Sequence, residues 1–160
     1  MPVWLCALLL ALPVGTLVEY WGHRAMHTWL LRKTHAEHHK KGIGQGWLLE
    51  FYDYVVGTIF FIPAGFLYSV EAGLGWIGGA LLYAAFAAYS HQLQHERPEL
   101  CFWLKRPVHF LHHHGHMWKH NFGISVDVWD RVFGTYKAID WQPPGIAGRS
   151  WRLLLRIKWI

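Results

Sequence analysis

Three stretches of this chain carry almost no charge, and each is long enough to cross the hydrocarbon core of a bilayer as a helix. Residues 1–18 contain no Lys, Arg, Asp or Glu, residues 51–70 contain only Asp53, and residues 72–94 again contain none. A helix needs about 20 apolar residues to cross, and within the bilayer its own backbone hydrogen bonds satisfy every polar group. The runs predict an all-α integral membrane bundle with spans over 2–20, 51–70 and 73–92, in a single domain over 1–160. Composition points the same way: 53% of the residues are hydrophobic and 16% charged, and the chain holds 11 Trp, 9 Phe and 7 Tyr.

The net charge of +5 is placed in a telling way. All 15 Lys and Arg fall within 24–41 or 97–158, and none lies in a span. With three crossings both basic blocks face the same side, which the positive-inside rule makes cytoplasmic. Basicity is then a signal of topology, and no nucleic-acid partner is expected. Cys6 and Cys101 fall at opposite faces, so no disulfide is expected. The short first run could be mistaken for a signal peptide, but it lacks a positively charged leader, and cleavage would remove a span.

Local signals divide the chain further. The first helix should run from 2 through 27, and an inner segment over 28–46 is broken by Gly42, Gly44 and Gly46. Pro63 should kink the second span, while the Gly/Ala-rich third span suits close helix packing. Pro98 should end that helix, and Pro107 should start another over 108–117. Asn121-Phe122-Gly123 reads as a turn, and 125–133 as a short amphipathic helix closed by Gly134. The tail over 138–160 ends in WRLLLRIKWI, which suits either the interface plane or a free end beyond QPPG.

The 13 histidines are concentrated in a repeated order. His23 and His27 form HRAMH; His35, His38 and His39 form HAEHH. After two spans, His91 and His95 form HQLQH, and His109, His112 and His113 form HFLHH. At i, i+3 and i+4 on a helix the rings share a face. The predicted crossings bring the regions 23–46 and 91–137 to one side of the membrane. A pH sensor needs no fixed spacing, and a purification tag would be a continuous terminal run. Metal binding explains the pattern best. Ten box histidines exceed the four ligands of one tetrahedral zinc and suit two ions. Imidazole serves iron, zinc, copper and nickel alike, so the rings alone do not select the metal. No HExxH zinc-protease motif is present.

These boxes, followed by NFGISVDVWDRVFGTY, closely resemble the fatty acid hydroxylase (sterol desaturase) superfamily over roughly residues 15–137. The resemblance implies a membrane di-iron enzyme that uses O2 and two electrons to hydroxylate or desaturate a lipid C–H bond. It carries over His23, His27, His35, His38, His39, His91, His95, His109, His112 and His113 as ligands to two iron ions, which zinc could replace in a purified sample. His116 extends the last box as HHxxH and joins them. His114, His120 and Asn121 are candidate neighbours of the metals, and Glu37, Glu96 and Asp127 could each hold a ligand ring by its other nitrogen. The lipid could be a fatty acyl chain, a sterol or, in the carotenoid branch, a carotenoid ring. A ferredoxin-like or cytochrome-like donor would dock on the basic face around Arg32, Lys33, Lys105 and Arg106. Members commonly have two helical hairpins, and here three spans are clear. The rival from another class is a metal-handling membrane protein without redox chemistry, which would need polar ligands inside the spans.

Overall fold

The computed structural model describes residues 1–142 and 151–160, and among them the chain is helical with no strand. Residues 143–150, within the tail expected over 138–160, lie outside the described residues. The α-helices in chain order are α1 (Val3–Met26), α2 (Arg32–Lys41), α3 (Trp47–Thr58), α4 (Val70–Glu96), α5 (Val108–His114) and α6 (Val128–Val132). Two of them, α1 and α4, are long and apolar enough to cross a membrane.

α1 and α4 pack side by side and parallel. Trp4 meets Glu71 and Gly75, Leu8 meets Gly79, and Gly15 and Glu19 both meet Tyr83. A Cβ on Gly75 would strike the Trp4 carbonyl, and one on Gly79 the Leu8 carbonyl, so glycine is what lets the backbones approach. Close approach of this kind is how helices associate where no hydrophobic drive is available. Because the pair is parallel, the histidines ending α1 and those ending α4 arrive at the same end.

A parallel pair needs a return path, and α3 with the 3-10 helix Ile62–Leu67 provides it. At the histidine end, Gly46 N donates to Gln92 Oε1 at 2.9 Å and Trp47 Nε1 to the Ala85 carbonyl at 3.1 Å. At the other end, Trp76 Nε1 donates to the Phe61 carbonyl at 3.0 Å, and Gly65 abuts Gly73 and Trp76. The expected continuous helix over 51–70 is therefore two pieces. α3 starts at Trp47 and stops at Thr58, and Pro63 sits in the first turn of the 3-10 helix, where it kinks no α-helix. The cause is local. Thr58 Oγ1 turns back onto the Tyr54 and Val55 carbonyls, and proline neither donates a hydrogen bond nor tolerates α geometry before it.

At the histidine end, α2 closes on Gly42, whose φ of +63° suits glycine at a helix terminus. α5 ends at His114, short of the expected 117, because Gly115 leaves the helix and His116 takes φ +49°. α6 covers only part of the expected 125–133, since the preceding backbone amides are drawn onto buried carboxylates described below. The tail is anchored. Trp47 N and Leu48 N donate to the Lys158 and Trp159 carbonyls at 2.9 and 3.0 Å, and Ile157 is buried against Leu93 and Cys101. Cys6 and Cys101 are both free thiols.

Candidate metal centre

The box histidines converge in two adjoining groups. The first contains His23, His27, His35, His39 and His112, and the second His38, His91, His95 and His109; in each, one nitrogen per ring lies within 4.8 Å of all the others. The division cuts across the boxes. HRAMH serves the first group and HQLQH the second, but each HxxHH box is split. His35 and His39 face one group while His38 faces the other; His112 goes to the first and His109 to the second. α2 and α5 thus stitch the ends of α1 and α4 together.

The first group has a definite shape. His27 Nε2 lies 3.2 Å from His23 Nε2, 2.9 Å from His35 Nε2, 3.3 Å from His39 Nε2 and 3.0 Å from His112 Nε2. Around the rim, His23–His35 is 3.1 Å, His35–His39 is 3.1 Å and His39–His112 is 3.2 Å between the same atoms. The rim closes between His112 and His23, whose ring centroids are 4.8 Å apart. A metal about 2.1 Å from each nitrogen would set adjacent corners of an octahedron about 3.0 Å apart and opposite corners about 4.2 Å apart. The five nitrogens match five such corners, with His27 at the apex.

Hydrogen bonding cannot account for this convergence. His23 Nδ1 donates to the Phe122 carbonyl and His112 Nδ1 to the His120 carbonyl, both at 2.6 Å. A neutral imidazole has one N–H, so the Nε2 atoms of His23 and His112 turn bare lone pairs toward the centre. The remaining rings can supply one proton each, fewer than the short contacts require. A cation bound by the lone pairs resolves the conflict, and fixing each ring by its outer nitrogen is how proteins orient metal-binding histidine.

The second group is looser. His95 Nε2 lies 3.2 Å from His109 Nε2, and His95 Nδ1 donates to the Gly42 carbonyl at 3.1 Å. His91 Nδ1 lies 3.0 Å from Glu50 Oε1, at ion-pair distance though off the ring N–H direction. His38 Nε2 is buried with no hydrogen-bond partner, and so are both ring nitrogens of His113. His113 stacks on His39 at 3.9 Å and lies 4.6 Å from both His95 and His109 by ring centroid. It therefore sits at the seam between the groups. Buried, unpartnered imidazoles carry a desolvation cost, and a metal ligand role removes it. The donor set fits a metal pair.

Burial, reinforced by neighbouring histidines, holds these rings neutral and so fit to bind a metal. His27, His35 and His39 are pushed down to about 3, and His38 to about 4. Burial alone brings His112 to about 4, against the pull of the His120 carbonyl.

The other expected residues fall elsewhere. His116 is exposed and outside both groups, carried off the helical face where α5 ends. His114 is exposed and stacks on Phe110. His120 contributes its carbonyl, to His112. Asn121 is fully buried at φ +58° and pairs with the Lys137 backbone, its Nδ2 donating to Lys137 O and its Oδ1 accepting from Lys137 N. Of the three acids that could have held a ring, each has the solvated or paired surroundings that are the commoner fate of a surface carboxylate. Glu37 is exposed, Glu96 accepts from Gln92 Nε2 and Lys158 N, and Asp127 pairs with Arg131. The acid that stands beside a ring is Glu50, 3.0 Å from His91 Nδ1.

Two further buried acids support the centre from behind. Glu19 Oε1 accepts from the Ile124 and Ser125 amides at 2.9 and 3.0 Å, and its other oxygen accepts from Tyr83 OH at 2.7 Å. Asp130 accepts from the Phe122 and Gly123 amides at 2.8 and 2.7 Å. Between them the two carboxylates grip 122–125 and fix the Phe122 carbonyl on which His23 leans. Isolated acids leave no spacing signature, but Asp130 lies within WDRVFGTY, the segment that accompanied the boxes in the resemblance.

A helical chain with two membrane-length helices, gathering two groups of buried histidines suited to metal, is of the membrane-associated histidine-box class. The family model described as fatty acid hydroxylase matches residues 8–135, and the chain belongs to that family. The family is one of lipid hydroxylase and desaturase-type oxygenases. No curated protein and no solved structure matches the chain.

Proposed function

We propose that the chain is a multi-pass membrane oxygenase whose two histidine groups each hold one iron ion. The observation that carries the reading is the convergence of bare Nε2 lone pairs in the first group beside the unpartnered nitrogens of the second. In this reading His23, His27, His35, His39 and His112 hold one ion, and His38, His91, His95 and His109 hold the other, with His113 at the seam. A reduced iron pair supplies what no side chain can, the electrons that split O2. In hydroxylation one oxygen atom enters a lipid C–H bond and the other leaves as water, with two electrons from a donor and two protons.

The chain's own residues bind, orient and shield. Backbone carbonyls of Phe122, His120 and Gly42 hold three rings with their lone pairs inward, so little reorganisation is needed when metal enters. Trp118 packs on His27 at 4.2 Å, giving the first group an apolar wall. Three crossings, made by α1, the broken α3 segment and α4, would put the centre at one membrane face. The lipid carbon then reaches it from the bilayer. The basic blocks favour the cytoplasmic face, where Arg32, Lys33, Lys105 and Arg106 would receive an acidic ferredoxin-like or cytochrome-like donor. The test is incubation of the iron-loaded protein with 18O2, reductant, donor and separate fatty-acyl, sterol and carotenoid lipids. A product carrying one 18O, or one lacking two hydrogens, supports the reading. Oxygen uptake without lipid oxidation contradicts it.

A further inference from the structure

The two groups differ in what stands behind their rings. In the first, His23 and His112 lean on the neutral carbonyls of Phe122 and His120. In the second, His95 leans on the Gly42 carbonyl, but His91 faces the Glu50 carboxylate at 3.0 Å. Glu50 is 5% exposed, belongs to no histidine box, and is held in place by the Gln45 amide, which donates to Oε1 at 3.0 Å. It comes from the first turn of α3, an element that contributes no histidine. We infer that Glu50 is a positioning residue for the second metal position, which it makes chemically distinct from the first.

The physical case combines charge with geometry. Burying a multiply charged ion among neutral imidazoles is costly, and a carboxylate in contact with a ligand ring offsets that cost. A negative charge 3.0 Å from one nitrogen of the ring also makes the other nitrogen a stronger donor. The second group needs this more, because its nitrogens are less closely gathered than those of the first. The five-histidine position relies on geometry; the four-histidine position relies on Glu50. The ion beside Glu50 is accordingly the more electron-rich of the two.

This inference rests on the two-metal reading, and a cobalt titration separates their failures. Metal-free protein in nanodiscs is titrated with Co2+, and the d–d absorption follows each equivalent taken up. Wild type should bind two per chain. Glu50→Gln should keep the first step and weaken the second by about 10–100-fold. Glu50→Asp, which retains the charge, should recover much of that loss, and exposed Glu37→Gln should change nothing. The first step doubles as a check that each variant is folded. Unchanged binding of both equivalents by Glu50→Gln overturns the inference, and so does equal weakening of both steps. Wild type that takes up fewer than two equivalents overturns the two-metal reading itself.

Discussion

Asp127 and Asp130 lie on the same short stretch and both make contacts of 2.7 Å, yet their replacement should have very different effects. Asp130 is fully buried and accepts from Phe122 N, Gly123 N and Thr135 Oγ1 at 2.8, 2.7 and 2.7 Å. Asp130→Asn keeps the shape but turns one oxygen into an N–H donor. With Oδ1 still serving Phe122 and Thr135, the new amide faces the Gly123 N–H. A charge-assisted bond worth about 1.5–3 kcal/mol is lost, and unpaired buried donors add about 1–3 kcal/mol. The expected cost is about 3–5 kcal/mol, or about 6–20 °C in Tm at about 2–4 °C per kcal/mol for a chain of this size. Asp127 pairs with Arg131, whose side chain is 50% exposed; Asp127→Asn should cost less than about 1 kcal/mol. Thermal unfolding in one detergent, followed by tryptophan fluorescence, compares the two. If Asp130→Asn stays within about 2 °C of wild type, or Asp127→Asn falls as far, the account of the 122–125 clamp is wrong.

Other consequences follow from the same structure. His27, His35 and His39 at about 3, and His38 and His112 at about 4, all lie below the ordinary 6.5. Between pH 6.5 and about 4 the unfolded chain therefore binds protons that the folded chain refuses. Metal-free protein should lose stability as pH falls through that window, by up to about 1.4 kcal/mol per unit for each fully buried ring, and gain nothing above it. Denaturation midpoints at pH 7.5, 6 and 5 check the sign. At the α1–α4 contact, Gly79→Val should destabilise by about 1–3 kcal/mol or more, because its Cβ meets the Leu8 carbonyl. Gly78→Ala should be tolerated, its Cβ 3.7 Å from Leu8 Cδ1; expression and Tm of the pair decide it. Replacing Arg32, Lys33, Lys105 and Arg106 with Glu should slow turnover with an acidic donor by about tenfold or more at low salt and less at high salt. Turnover with a small chemical reductant should be unaffected.

The long helices could be read from the sequence because an uncharged run fills most of each, although α4 starts at Val70 and ends at Glu96, beyond the expected 73–92 at both ends. Pro2 precedes α1, Ser69 caps α4 by accepting from Ala72 N at 3.0 Å, and Pro98 follows α4. The break after Thr58 was not legible, since a 3-10 segment and an α-helix are equally apolar. The box histidines were legible as a set, but their partition was not. Spacing along one helix says which rings share a face; it does not say that His38 turns from His35 and His39 toward the end of α4. His116 fits the motif by spacing and leaves it by backbone, because the helix that would have carried it ends at Gly115. Glu50, Glu19 and Asp130 were beyond reach for a different reason. Glu50 and Glu19 act on residues remote in sequence, Asp130 bends the chain back on amides seven and eight residues before it, and a single acid could equally be a cap or a solvated charge.

The central claim is that each histidine group holds one metal ion although the two HxxHH boxes are divided between the groups. The most direct test is the iron content per chain, by mass spectrometry, of protein purified from iron-replete cells, alongside His27→Ala, His91→Ala and the double variant. The account predicts two irons in wild type, one in each single variant and none in the double. One iron or fewer in the wild-type chain would contradict it.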